Sequence, residues 1–420
     1  MSRMILALAT LLSFTGCAAG VHELFETRKA YGLERATGAP ESWKAEAVVT
    51  LSEPLVQAVL AQALEVALKD LPPLDAKLAK VTPQATLSSL ALTDVAGCPQ
   101  CVGFNGKLTG KAKVEAMGFS KSLPFTAALR GSLQISTRAA DDAQGRAVFA
   151  RLTKIDRLDF ALDQSGGLGF SLEDTLESWG TDLARETPEL SLGAFGGDDL
   201  PLRDLRVRSA SGALLVELLT DAAHGGPLYA PPTPPTGGWA VAVSEATLLD
   251  HARRAAFEMG EISMEVWAEP TSLDLDGGEF ALGLRLWRLK GKGWWRDYTI
   301  RGDLTLVNQV LKLQPKEVQE GERSQGAALV DPLALLGESL ILRVIEDAAA
   351  QSVPIGQATS VGGLTLKAKV SQAQGVADAL MLSGDATVRA ANEKAAGAGS
   401  SGGSSGGSTG AGERRKQKRP

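Results

Sequence analysis

Residues 280–286 alternate strictly, with Phe280, Leu282, Leu284 and Leu286 on one side and Ala281, Gly283 and Arg285 on the other. Successive side chains of a strand point to opposite faces, so this pattern marks a half-buried antiparallel strand. The same two-residue period recurs at 86–94, 102–115, 122–137, 147–154, 157–164, 202–209, 213–219, 262–268, 271–275, 296–307, 364–370 and 379–388. So much sheet with one polar and one apolar face has to cover the apolar one.

Four amphipathic helices are the expected cover. Ser52-Glu53-Pro54 supplies a cap, an acid and an early-turn proline ahead of Leu55, Val56, Val59, Leu60, Ala63, Leu64, Ala67 and Leu68, and Pro72-Pro73 stops the run. A second helix is expected over 171–185, with Leu172, Leu176, Trp179 and Leu183 on its apolar side. Ser244-Glu245 caps a third, running to about Gly260, whose inner face reads as Leu248, Leu249, Ala252, Ala255, Ala256 and Met259. Asp331-Pro332 opens the fourth, lined by Leu333, Leu336, Leu340, Ile341, Val344 and Ile345.

The order strand, capped helix, antiparallel strands, second helix and hairpin therefore occurs twice. Tyr229-Ala-Pro-Pro-Thr-Pro-Pro-Thr-Gly-Gly238 separates the copies as an extended linker. The expected fold class is α+β: two tandem lobes, each a long curved antiparallel sheet wrapped around or packed on two amphipathic helices. The expected division is 1–16 signal peptide, 17–43 leader, 44–222 first lobe, 223–238 linker, 239–391 second lobe and 392–420 tail. The leader looks helical and is read as a spacer, with His22 exposed. The tail is Gly/Ser-rich and ends in five basic residues and one acid, Glu413.

The N-terminus reads as an address. Arg3 precedes the apolar run 4–12, which is too short for a bilayer span of about 20 residues, and small and polar residues then lead to Cys17. The ending Leu12-Ser-Phe-Thr-Gly-Cys17 resembles the bacterial lipobox, with Phe14 departing from the usual Leu. That resemblance implies acylation of Cys17. With Ala18 following it, sorting to the outer membrane, facing the periplasm, is expected.

The other two cysteines, Cys98 and Cys101, form a C-x-x-C pair between two expected strands. A disulfide clipping the hairpin tip fits those flanks; a redox pair, free thiols and half a metal site stay open.

The duplicated helix, long strands, helix and hairpin resemble the tubular lipid-binding superfamily, which includes the bactericidal/permeability-increasing protein group. The resemblance spans roughly residues 44–390 and is one of architecture. It implies a curved sheet around a helix, with an apolar tunnel for acyl chains.

Little in the chain points to catalysis. His22, His224 and His251 are far apart and not at ligand spacing, and no serine sits in a recognisable nucleophile turn. No enzyme activity, cofactor or metal is expected. The formal net charge of -6 and 5% aromatic content argue against a nucleic-acid partner. Lys290-Gly-Lys-Gly-Trp-Trp-Arg296 has two readings, a loop at a membrane interface or tryptophans packed back on the sheet. The expected function is binding or shuttling of lipid acyl chains, from phospholipid or lipopolysaccharide, in apolar cavities of the lobes. Val56, Leu60, Leu64, Leu336, Leu340 and Val344 are the candidate tunnel residues. The alternative is a non-enzymatic scaffold that binds other envelope proteins.

Overall fold

The computed structural model describes residues 20–38, 42–59, 61, 74–76, 79–98, 100–116, 119–139, 145–162, 189–196, 201–210, 213–262, 265–324, 358–361 and 364–390. In chain order, helix α1 (Val21–Leu33) precedes β1 (Ala47–Ser52) and helical residues 53–59. Next come β2 (Leu74–Ala76), β3 (Ala79–Asp94), β4 (Cys101–Ala116), β5 (Phe119–Ala139), β6 (Gly145–Leu162) and β7 (Leu190–Gly196). The hairpin β8 (Leu202–Ala210) and β9 (Ala213–Thr220) leads through the proline-rich segment to β10 (Gly238–Ser244) and α2 (Glu245–Met259). β11 (Val266–Asp276), β12 (Glu279–Arg288), β13 (Trp294–Val307) and β14 (Val310–Arg323) follow, and β15 (Ala358–Val361), β16 (Leu364–Gly375) and β17 (Ala379–Ala390) close the chain.

These strands make three antiparallel sheets. β2 to β7 form a six-stranded meander and β11 to β14 a four-stranded one. The third has seven strands in the order β15-β16-β17-β10-β1-β9-β8 and takes strands from both halves of the chain. β1 joins the two halves between β10 and β9, with Val49 opposite Val216 on one side and Val241 on the other. The described architecture is thus mainly antiparallel sheet with few helices. One sheet per lobe is incomplete, because a third sheet is shared. The helices expected over 171–185 and 331–345 lie outside the described residues.

Local sequence accounts for most of these elements. Ser244 caps α2 as its hydroxyl accepts from the Thr247 backbone N–H at 3.3 Å. The turn between Asp276 and Glu279 links β11 to β12. Two expected strand pairs are each continuous. β6 runs unbroken through the expected gap at 155–156, and β11 passes Pro270 with a register shift before Ser272. β14 was not legible: its residues are mostly exposed, its apolar period is weak, and it carries Pro315. An edge strand tolerates all three.

Two expectations are corrected by packing. α2 buries Thr247, Asp250, Arg253, Arg254 and Phe257, while Ala252 and Ala255 are exposed and Met259 is 58% exposed. Charges can face inward here because they satisfy one another. Arg254 reaches Asp221 at 2.7 Å and Asp250 at 3.4 Å, and Arg253 donates to the Pro270 carbonyl at 3.1 Å. Of the expected inner face, half-buried Leu248 does pack on the four-stranded sheet.

The leader is not a spacer. Phe25 of α1 is buried among Phe257, Trp267 and Trp287, with ring centroids 6.0, 5.3 and 5.6 Å away. Gly32 lets the helices approach, since a Cβ there would lie 2.6 Å from the Phe257 ring. Further along, Arg35 bridges Ala222, and the Ala36 N–H donates to Asp221 O at 2.9 Å.

Candidate apolar binding face

The six-stranded sheet presents one continuous apolar face. Its buried side chains follow the two-residue period: Val102, Phe104, Leu108, Ala112 and Val114 on β4, and Leu123, Phe125, Ala127, Leu129, Leu133 and Ile135 on β5. Lys107, Lys111, Lys113 and Arg130 occupy the exposed side of the same strands. Register keeps the face continuous, because Leu108 lies opposite Ala127 and Leu87, and Ala112 lies opposite Leu123. Register shifts at Leu87/Ser89, Arg130/Gly131 and Ser132/Leu133 add the local bend that bulges impose on long strands.

The shared sheet meets this face at one end. Ser209 of β8 donates to Asp94 at the end of β3. Leu205 and Val207 of β8, Leu214, Val216 and Leu218 of β9, and Ala47 of β1 join the same apolar cluster. Strands β1, β9 and β8 have 6, 8 and 9 residues, whereas β3, β4, β6 and β5 have 16, 16, 18 and 21. At about 3.3 Å per residue β1, β9 and β8 span roughly 20–30 Å and β3 to β6 roughly 50–70 Å. Val81, Ala112, Val114, Leu123 and Phe125, on the stretch away from Asp94, are nevertheless buried.

Of the six candidate tunnel residues, Val56 is placed on this face, 7% exposed and in the same cluster. Its neighbour Leu55 turns the other way, into a cluster with Trp239 and Val370. Leu60, Leu64, Leu336, Leu340 and Val344 lie outside the described residues, as does Cys17. The face is made instead by sheet residues such as Leu108 and Phe125, whose two-residue alternation is the signal in the sequence.

Cys98 and Cys101 are joined in a disulfide with their Cα atoms 5.3 Å apart. The bridge closes the β3–β4 turn, where the Cys101 N–H donates to Cys98 O at 3.1 Å and Ile135 N–H to Gln100 O at 2.9 Å. It lies in the chain between two strands and opens no described helix.

The second half is organised differently. Val266, Ala268, Leu275, Phe280, Leu284, Leu286, Tyr298 and Ile300 pack into one core with Leu248, Leu313, Val318 and Leu380. Trp287 is fully buried and Trp295 packs beside it with the leader, so these tryptophans turn back on the protein.

A charged seam runs between the halves. Glu46 accepts from the Thr220 N–H at 2.8 Å and the Thr220 hydroxyl at 2.5 Å; burial pushes its carboxyl above the usual range, against those bonds. Burial, then the charge of Arg254, pushes His251 below its usual value. His224 stacks on Tyr31 at 3.6 Å and lies 3.3 Å from Glu34. The charges here are paired across elements and lock the leader, β9 and α2 together. No group of three or more His, Cys, Asp or Glu residues suited to a metal ion occurs among the described residues. No described helix is long and apolar enough to cross a membrane.

No protein-family model matches this chain, and no curated protein does. Among solved structures it is similar to a lipopolysaccharide binding protein, at 13% identity and a TM-score of 0.36, over 82% of this chain and 99% of that one. It is also similar to P47 of Clostridium botulinum E1, at 10% identity and a TM-score of 0.43, over 82% and 99% of the two chains. P47 from Clostridium botulinum A2 gives 10% identity and a TM-score of 0.39, over 81% and 97%.

Proposed function

We propose that this is a lipid-binding protein that holds acyl chains against the inner face of the six-stranded sheet. One observation carries the reading. The apolar faces of β4 and β5 are continuous across their paired registers, from Val102 and Leu133 to Val114 and Leu123. A long apolar face whose charges all lie on its opposite side suits an unbranched chain, which needs no polar ligand along its length. The second half contributes its filled core as a support. We further propose that Cys17 carries the chain on the outer membrane, facing the periplasm, and that the bound lipid is phospholipid or lipopolysaccharide. The activity is carriage rather than catalysis.

The test is native mass spectrometry with lipid extraction on the chain from residue 18 onward, purified without detergent. Phospholipid or fatty acid bound at fixed stoichiometry is the expected result. A clean apo mass with no uptake of added lipid would overturn the proposal, and a search for envelope-protein partners would replace it.

A further inference from the structure

The start of the leader helix is seated on a turn. Val21, its first residue, packs against Gly293, where an added Cβ would lie 3.0 Å from Val21 Cγ1. His22 Nε2 donates to Gly291 O at 3.1 Å. Gly291 and Gly293 take φ of 66° and 69°, and the Gly293 N–H closes the turn on Lys290 O at 3.1 Å. Three residues of chain, a reach of at most about 11 Å, separate Gly20 from Cys17 in the sequence.

That turn is basic. Residues 288–296 contain Arg288, Lys290, Lys292 and Arg296 and no acid. Lys290 and Lys292 are exposed, and neither has an ion pair among the described residues. Glu23 is the acid in the first turn of α1. The opposite end of the same sheet is acidic, since the β11–β12 turn carries Asp274, Asp276 and Glu279, and Asp303 and Glu317 line the same cleft with Arg301 and Lys316. β12 spans 10 residues between the two ends, about 34 Å. Glu265, whose carbonyl accepts from the Leu289 N–H, and Glu320, 3.7 Å from Arg296, flank the turn, so the exposed cations free of an ion pair among the described residues are those at its tip, Lys290 and Lys292.

We propose that the β12–β13 turn is seated on an anionic phospholipid surface, with Lys290 and Lys292 against headgroup phosphates. The proposal rests on reading Cys17 as the anchor. An anionic surface attracts the two lysines at the tip of the turn, and an anchor at Cys17 would favour the same orientation. The four-stranded sheet then stands on the membrane, with its Asp276–Glu279 turn directed away.

The Cys98–Cys101 disulfide leaves Cys17 as the free thiol of a chain with three cysteines. The chain from Cys17 onward, which keeps every described residue, can be coupled through that thiol to a maleimide phospholipid. Vesicles of phosphatidylcholine, with and without phosphatidylglycerol, are the probe, and lysine acetylation read by mass spectrometry is the measurement. On phosphatidylglycerol vesicles, Lys290 and Lys292 should react roughly threefold or more slowly than in the free protein, with Lys107 and Lys111 unchanged. Equal rates, protection shifted to Lys107 and Lys111, or the same protection on pure phosphatidylcholine would each overturn the proposal. The mass of the native N-terminus tests the anchor separately: an unacylated Cys17 removes that reading while the footprint still decides the contact.

Discussion

Arg28 of α1 lies 2.6 Å from Glu269 of β11, whose side chain has no exposed surface. Glu269 also accepts from Trp287 Nε1 at 2.9 Å and has Arg253 at 3.9 Å. One buried carboxylate thus ties together the leader, α2 and two strands. A buried charge that loses a partner keeps its desolvation cost. Arg28→Ala should lower stability by about 1–3 kcal/mol, less than a full buried-pair loss because Arg253 and Trp287 remain. Urea unfolding reads this directly, and an unchanged midpoint would show that the ion pair contributes nothing.

Phe25→Ala tests the leader by packing rather than charge. The ring fills the space between Phe257, Trp267 and Trp287. Its loss should cost about 3–5 kcal/mol and shift tryptophan emission to the red as water reaches the cage. A wild-type spectrum and melting temperature would return the leader to the role of spacer.

Ala112→Trp probes the far stretch of the apolar face, where Ala112 is fully buried opposite Leu123. In a filled core the larger ring should destabilise by about 1–3 kcal/mol. In a channel that lipid occupies, the variant should instead fold normally and retain less lipid. Lipid content and melting temperature measured on one preparation separate the two, and lipid retained at the wild-type level would count against the channel.

Replacing Cys98 and Cys101 by serine opens a short loop. Loop-closure entropy for so small a ring gives about 2 kcal/mol of lost stability. Lipid binding should not change. Loss of an activity without loss of stability would revive the thiol chemistry that the C-x-x-C spacing left open.

Stability should also depend on pH from both sides. His251 is held below its ordinary 6.5, so its contribution is present above that pH and is lost as pH falls through the lowered value. Glu46 is held above its ordinary 4.5, so its contribution is full below that pH and is lost as pH rises through the raised value. His251→Gln should flatten the acid side of the profile and Glu46→Gln the fall in stability from 4.5 upward. Chemical denaturation at a series of pH values checks both, and a variant profile parallel to wild type would remove that residue as a cause.

What the amino-acid order settled by itself is local. The two-residue alternation marked β4, β5, β12 and β13, the Asp276–Glu279 turn marked a hairpin, and Ser244 marked the start of α2. Cys98 and Cys101 likewise sat on the two sides of one turn. Each of these signals is complete within a few residues, because strand pleat, turn and cap are short-range geometry. The apolar face of the six-stranded sheet is legible for the same reason, whereas the six candidate tunnel residues lie on the expected helices.

Tertiary structure decided the rest. β1 sits between β9 and β10, strands more than a hundred residues away in sequence, so no local pattern could announce a shared sheet. The buried face of α2 is the charged one because Asp221, Pro270 and Asp250 are placed to satisfy Arg253 and Arg254. Burial follows the partners that arrive, and hydrophobicity alone does not choose the face when charges can be paired. The leader became part of the core by the same logic: Phe25 and Arg28 acquire their meaning only from Trp287 and Glu269, which the fold brings to them.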